Sequence, residues 1–489
     1  MKTSTRIEPY APLVITAALA TIAFGAALLL GWQPGLPGEW IWRRNILPVR
    51  LLPPFLAGLG LTGLAALIAR RDWSSLSRPA RALALLLVIL LAFALQIALL
   101  NAAGPPWVTG GAYVVSPSAT TYFAVSLDVT NPARWVADYP RLLHSLPYHS
   151  GTHPPGFVLF FLAVRRVCAA LIGTPSPHLD QLAREYNDVF GLSLTGPDTA
   201  AAIASALVIA LLGALALLPI YYLARLLVGP RAAPYAACLS ASIPALLLLA
   251  ASPDLIILSL TALSLCLGYC AWRRRSLPLA FLAGLTVALG LFLSLAFALV
   301  AALAVIWLIL GLFGPSPRRE TVRRTAAIGG VALAGLLAFY LALYVIYGYR
   351  PIEVAVQALS AHRGITTVEA ARTYWKWLLM NPVECALFAG LPLVIAAAWS
   401  WRTCRDPASS RPRLFLWAWF LLFAALDLSG AVRGEVGRIW LFLLWPISLA
   451  ASAWLAARPG RAQALPLLVF LQVAQALLMK AYLTMYSIL

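Results

Sequence analysis

Apolar runs of 17 to 26 residues recur along this chain and constrain it more than any other feature. A helix needs about 20 mostly apolar residues to cross the hydrocarbon core of a bilayer. Candidate spans run over 10–31, 51–69, 82–103, 199–224, 232–251, 255–272, 278–294, 295–313, 325–347, 383–401, 414–430, 438–457 and 464–486. The stretch 278–313 is too long for one helix and is expected to split near Ser294 into a tight hairpin. The chain is 62% hydrophobic and only 11% charged, more apolar than a soluble protein of its 489 residues could hide. The expected fold is an all-α polytopic membrane protein with about 13 transmembrane helices and external amphipathic juxtamembrane helices.

Charge sets the expected orientation. The net charge of +19 comes from basic residues spread through short loops. That is the pattern of topology signals and headgroup contacts, and it argues against nucleic acid. Arg70, Arg71, Arg78 and Arg81 share one loop, Arg273 to Arg275 a second, and Arg318, Arg319, Arg323 and Arg324 a third. Arg402, Arg405, Arg411 and Arg413 form a fourth, Arg458 and Arg461 a fifth. All five fall inside if the N-terminus is cytoplasmic; Arg43, Arg44 and Arg50 dissent. Residues 10–31 follow Lys2 and Arg6 without a small-residue cleavage site and read as a signal anchor and first span. The six cysteines are scattered, several inside helices, so neither a disulfide nor a zinc site is expected.

One segment breaks the parity. Residues 156–172 look helical and apolar, yet Arg165 and Arg166 stand in the middle. Counting this as a full span would invert everything downstream against the arginine bias. It is therefore expected to be a short or partly inserted helix with protein or interface around its arginines. The organisation that follows is 1–103, N-terminal spans; 104–198, a large external loop; 199–347, central spans; 348–382, a second external amphipathic segment; and 383–489, C-terminal spans. Asp128, Asp138, Asp180, Glu185, Asp188, Asp198, Asp254, Glu353, Glu369, Asp427 and Glu435 then face outward, and Glu8, Asp72, Glu320 and Asp406 inward. Nearly all available chemistry faces one side of a plasma (inner) membrane. No Gly-rich phosphate loop, CxxC pair or internal repeat is present.

The loop 104–198 carries Tyr122, Asp128, Trp135, Asp138, Tyr139, Arg141, His144, His149 and His153. Its apolar positions suit short helices lying on the membrane surface, punctuated by Pro132, Pro140 and Pro147. Pro154 and Pro155 preorganise a helix start, because Pro costs little in a first turn. Taken singly, each residue is an ordinary interfacial aromatic, cap or solvated charge. Gathered in one loop, they suggest an active site built on a carboxylate and a histidine or metal. Joint ligation by His149 and His153 at i, i+4 is disfavoured by the Pro-Pro pair that follows.

Three further stretches stand out. "AASPDLIIL" places Asp254 at a turn between spans, where N-capping is the plain explanation. "YGYRPIEVAVQALSAHRGITTVEAARTYWKW" holds His362, Arg363 and Arg372, whose arginines could fork onto a phosphate or snorkel to headgroups. "DLSGAVRGEVGRIW" sets Asp427, Arg433, Glu435 and Arg438 at a helix junction. There the choice lies between a structural ion cluster and Arg438 binding a lipid-linked phosphate that Glu435 orients.

An external loop after an early span, ending in "THPPG" at a helix start, resembles the GT-C class of integral membrane glycosyltransferases. The likeness to the protein O-mannosyltransferases and aminoarabinose transferases is clearest over residues 100–275, where "GPRAAPYAACLSASIPALLLLAASPD" also fits the class. His153, Pro154 and Pro155 match its His-Pro-Pro stretch, but "SPSATTYF" stands where the class carries an acidic pair. Asp128 is the nearest substitute and Asp138 the next. The resemblance implies transfer of a sugar from a polyprenyl-phosphate donor to an unidentified acceptor on the extracytoplasmic side. A carboxylate base, Asp128 or Asp138, would invert the anomeric carbon. His153 would assist, and His149, Tyr122, Asp254, His362, Arg363, Arg372, Glu435 and Arg438 would line the substrate site. Arg438, Arg363, His153 or a divalent metal such as Mg or Mn would meet developing phosphate charge. The alternatives are a transporter or flippase of a lipid-linked or small solute, and an inactive scaffold of the same fold.

Overall fold

In lipid every backbone N–H and C=O must find its partner inside the chain, which leaves helix as the default for Ala- and Leu-rich runs. The computed structural model describes residues 10–44, 49–71, 73, 75–104, 106–172, 176–311, 318–364, 372–403 and 410–485. Its first third holds α1 (Ala11–Leu29), a small antiparallel pair β1 (Gly35–Leu36) and β2 (Trp40–Ile41), α2 (Leu52–Arg70) and α3 (Arg78–Leu100). Then come α4 (Pro106–Val115), α5 (Tyr122–Leu127), α6 (Pro132–Leu142), α7 (Tyr148–Gly151), α8 (Gly156–Leu171) and α9 (Pro177–Phe190). The middle is α10 (Gly196–Leu215), α11 (Leu217–Leu227), α12 (Ala232–Ala241), α13 (Pro244–Leu248), α14 (Asp254–Arg274), α15 (Leu277–Leu293), α16 (Ala298–Gly311) and α17 (Arg318–Tyr347). The chain closes with α18 (Pro351–Gly364), α19 (Tyr374–Ala389), α20 (Leu391–Thr403), α21 (Ser410–Ser429), α22 (Val436–Ile439), α23 (Ile447–Ala456) and α24 (Ala464–Tyr482).

Among the described residues, eight helices are long and apolar enough to cross a membrane. These are Ala11–Leu29, Leu52–Arg70, Arg78–Ala103, Gly196–Leu227, Asp254–Arg274, Arg319–Tyr347, Pro412–Ser429 and Gly460–Tyr482. A ninth span results if the pair α19 and α20, bent by 104° at its break, counts as one. The chain is an all-α, multi-pass membrane protein.

The expected count near thirteen is not reproduced, and packing explains the difference. The run 232–251 breaks at Ser242 and Ile243 into α12 and α13, whose residues are all buried. Ten helical residues rise only about 15 Å, half a hydrocarbon core, so such a helix is apolar because protein surrounds it. The run 438–457 likewise becomes α22, a 3-10 turn and α23. The run 278–313 does break at Ser294, but no tight hairpin forms. Instead α15 packs between α14 and α17, while α16 lies along α21, with Trp307 edge-on to Phe415 at 4.8 Å.

The bent pair turns at Gly390, whose φ of +95° suits glycine alone. Gln475 of α24 closes the break, its Oε1 accepting from Leu391 N and its Nε2 donating to Leu387 O, each at 2.8 Å. Gln472, beside it, donates to Ala389 O at 3.4 Å and accepts from Ser242 at 3.1 Å.

Helix α8 has 16 residues and is not among the candidate spans. Protein meets Arg165, while Arg166 is exposed, with a single contact among the described residues. Arg165 donates to Asp198 at 2.8 Å and also to the Ser126 carbonyl, and Arg166 reaches Thr130 O at 3.4 Å. Segment α4 to α9 joins the end of one span, at Ala103, to the start of the next, at Gly196, and its helices α4, α8 and α9 pack on α10. At the end of α14 far from Asp254, Arg324 lies 4.4 Å over Trp272 and donates to Arg273 O at 2.6 Å.

Candidate functional site

The stretch "YHSGTHPPGF" is held from three sides. Thr121, just before α5, meets Ser150 through its hydroxyl at 2.8 Å and accepts from Ser150 N at 2.9 Å. Tyr139 of α6 donates its phenol proton towards Ser150 O (3.0 Å) and His153 O (2.7 Å). Pro154 and Pro155 lie just before α8 rather than in its first turn, Pro155 as its cap, and Gly156 follows because a Cβ there would strike the Phe292 carbonyl. The Nδ1 of His153 lies 3.0 Å from His149 O. A carbonyl can only accept, so Nδ1 carries the proton and Nε2 keeps its lone pair. The ring stands edge-on to Tyr122 at 5.7 Å.

Burial pushes both imidazoles towards their neutral forms. His153 falls to about 4, desolvation outweighing the hydrogen bond to His149. His149 falls to about 3 through burial, the nearby Arg438 charge and His153. The Nδ1 of His149 is buried without a partner. Burial likewise raises the Tyr113 and Tyr122 phenols, and Asp254 and Arg438 act on both. His362, at the end of α18, is lowered by burial and lies close enough to influence His153.

Arg438, on α22, is the group these residues share. Its charge acts on Tyr113, Tyr122, His149, His153 and Asp254. Burial opposes its charged form, but Glu435, Tyr113 and Asp254 outweigh it and hold the guanidinium ionised. Its Nη2 donates to Glu435 at 3.0 Å and Nη1 reaches Ala119 O at 3.5 Å. Asp254 is the first residue of α14 rather than its cap, which is Pro253; its carboxylate accepts from Ser252 at 2.6 Å.

The loop that carries Glu435 is fixed from α19. Asn381 accepts from Gly434 N and donates to Val432 O and Asp427, each at 3.0 Å. One turn on, Glu384 accepts from Gly437 N at 2.9 Å and Trp42 at 3.1 Å. Arg372 donates to Glu435 at 3.1 Å and to Arg433 O, beside the rings of Trp40 and Trp377. Glu39 locks that wall, accepting from Thr373 N, Thr373 Oγ1, Lys376 and Trp377 at 2.7 to 3.0 Å. Burial would raise its carboxyl, yet these bonds, led by Thr373, bring it down to about 2.

The structure thus brings His149, His153, Tyr122, Asp254, His362, Glu435, Arg438 and Arg372 into one neighbourhood. It does not bring Asp128 or Asp138 there. Asp128 is exposed at the end of α5, and Asp138 pairs with Arg134 at 3.6 Å on the surface of α6. Arg363 is exposed at the end of α18. Glu8, Asp72, Glu369 and Asp406 lie outside the described residues. Sequence reading missed Tyr113, Ser252, Glu39 and Glu384. Tyr113 sits in "GGAYVV" with nothing polar beside it, and Glu384 inside an apolar run; a lone carboxylate in a span was the available signal for the latter.

Among the described residues, no three His, Cys, Asp or Glu side chains gather as metal ligands. Ser252 already engages Asp254, and two arginines engage Glu435. This donor set does not fit the divalent cation the resemblance allows. No protein-family model matches the chain, and no curated protein matches it either. The multi-pass fold is the class that stands; the likeness to the GT-C enzymes rests on motif and layout.

Proposed function

We propose that this protein is a membrane glycosyltransferase that moves a sugar from a polyprenyl-phosphate donor to an acceptor hydroxyl on the extracytoplasmic side. One observation carries the reading: Arg438 faces a carboxylate, two phenols and the His149–His153 turn at one end of a membrane bundle. A lipid-borne donor needs a cation where its phosphate departs, and Arg438 supplies one close to spans that accommodate the lipid tail. Attack by the acceptor needs a base, and Asp254 is a carboxylate whose charge acts on Arg438 and on Tyr122, the ring that stands against His153. The acceptor hydroxyl loses its proton to Asp254 as its oxygen bonds to the anomeric carbon. The carbon–oxygen bond to the lipid phosphate breaks, and the configuration inverts. The Nε2 lone pair of His153 accepts a hydrogen bond from a sugar or acceptor hydroxyl.

The test uses the purified full chain with radiolabelled polyprenyl-phosphate sugars. Asp254→Asn and Arg438→Ala should each lower transfer by about 100-fold or more. Asp128→Asn and Asp138→Asn should stay near wild type. Full activity in Asp254→Asn with loss in Asp128→Asn or Asp138→Asn would move the base back to the surface loop. No transfer or hydrolysis with any donor, together with solute flux in vesicles, would replace the transferase by a transporter.

A further inference from the structure

Two residues other than glycine adopt positive φ among those described, Arg275 and Glu435. Glu435, at φ +59°, is the one inside the site, and an L side chain pays strain there. Its carboxylate bridges two guanidinia. One oxygen accepts from Arg438 Nη2 at 3.0 Å, the other from Arg372 Nη2 at 3.1 Å.

Arg372 precedes α19 and Arg438 lies on α22, and each has a further partner besides Glu435. Arg372 is gripped by the Arg433 carbonyl and stands 5.7 and 5.8 Å from the ring centres of Trp40 and Trp377. Arg438 is tied to Ala119 O and Tyr113. The three side chains retain 17 to 26% exposure, so a ligand can reach them. Gly430 and Gly434, with φ of +61° and +85°, flank the segment that presents Glu435. Two arginines converging on two oxygens of one anion is a geometry that carboxylate and phosphate share.

We propose that Glu435 is a resident counter-ion in a phosphate site: an incoming phosphate takes its place on Arg372 and Arg438. The displaced carboxylate rotates about its own side-chain bonds to solvent, while Asn381 keeps the backbone of the loop in place. The ligand class is a phosphomonoester or phosphodiester. The proposal deepens the lipid-phosphate reading above and rests on it, but reverses the part expected of Glu435. An orienting carboxylate helps phosphate to bind, whereas a resident one competes with it.

The sign of one substitution decides between the two. Binding of a short-chain polyprenyl phosphate in detergent, and of inorganic phosphate alone, is measured for wild type, Glu435→Gln, Glu435→Gly and Arg372→Ala, with melting recorded for each. Glu435→Gln should bind polyprenyl phosphate about tenfold more tightly than wild type, the scale of one charge-assisted hydrogen bond. Glu435→Gly should shift the same way with the backbone strain removed, and Arg372→Ala should bind about tenfold more weakly. Tightening for both probes identifies a site for phosphate itself; tightening for the lipid alone identifies a headgroup site. Unchanged or weaker binding in both Glu435 variants, with wild-type melting, overturns the proposal. If no protein binds either probe, the proposal and the lipid-phosphate reading fall together. Tighter binding by Glu435→Gln without sugar transfer leaves the proposal standing and removes the transferase.

Discussion

At His153 a single backbone carbonyl decides which nitrogen is free. With Nδ1 donating to His149 O, the ring presents Nε2, and burial keeps it neutral near pH 7. The same burial has a measurable cost. His149 and His153 fall to about 3 and about 4 from the 6.5 of an ordinary imidazole. As the pH drops below 6.5, the unfolded chain takes up protons that the folded chain refuses until about 4. The stability these residues contribute is therefore complete above pH 6.5 and is lost as the pH falls towards the folded values. The melting temperature in detergent should decline over that window, and a His149→Gln/His153→Gln double variant should flatten the decline. Glu39 acts in a lower window: its contribution is present above 4.5 and lost as the pH falls towards 2, so Glu39→Gln leaves the upper limb unchanged. An identical slope in the double histidine variant would show that other groups set it.

At the scale of elements, charge patterning was more informative than hydropathy. Arg165 and Arg166 inside an apolar run announced that 156–172 could not be treated as an ordinary span; α8 is not a candidate span, and it pairs Arg165 with Asp198 while Arg166 is exposed. Hydropathy alone could not separate a helix facing lipid from one facing protein, so α12, α13 and α23 read as spans. The candidate site was legible where polar residues interrupt apolar ones, as in the turn of His149 and His153 or at Glu435 and Arg438. It was not legible at Asp128 and Asp138, because a neighbour in sequence says nothing about which face of a short surface helix looks inward. The break at Gly390 was also unannounced, since its closing groups, Gln472 and Gln475, lie more than eighty residues away. Gln475→Ala leaves Leu391 N unpaired in a dry interior and Leu387 O with Gly390 N alone, which costs about 1–3 kcal/mol. Chemical unfolding in micelles should show that loss, and wild-type stability would mean the bend is held by packing alone.

Across the whole molecule, α14 runs from an end of mixed charge to a basic one. Asp254 begins α14 at the site, and Arg273 and Arg274 finish it at the other end. There Arg275 pairs with Glu320 at the start of α17, so two helices share one basic terminus. Such a basic end matches short arginine-rich loops retained in the cytoplasm, and it would set the site outside. It also requires both flanks of α8 to lie on the same side. Tyr186 of α9 donates to Val108 O of α4 at 2.7 Å, tying the far flank of α8 to the segment that precedes it. The measurement uses single cysteines at exposed positions in a background lacking the six native ones. Ser145→Cys lies before α8, Asp188→Cys after it, and Arg274→Cys at the basic end. A membrane-impermeant maleimide on intact cells should label positions 145 and 188 and reach 274 only after permeabilisation. Labelling of 145 without 188 would make α8 a crossing helix and invert everything downstream. Labelling of 274 alone would put the site in the cytoplasm, where an extracytoplasmic transferase cannot work.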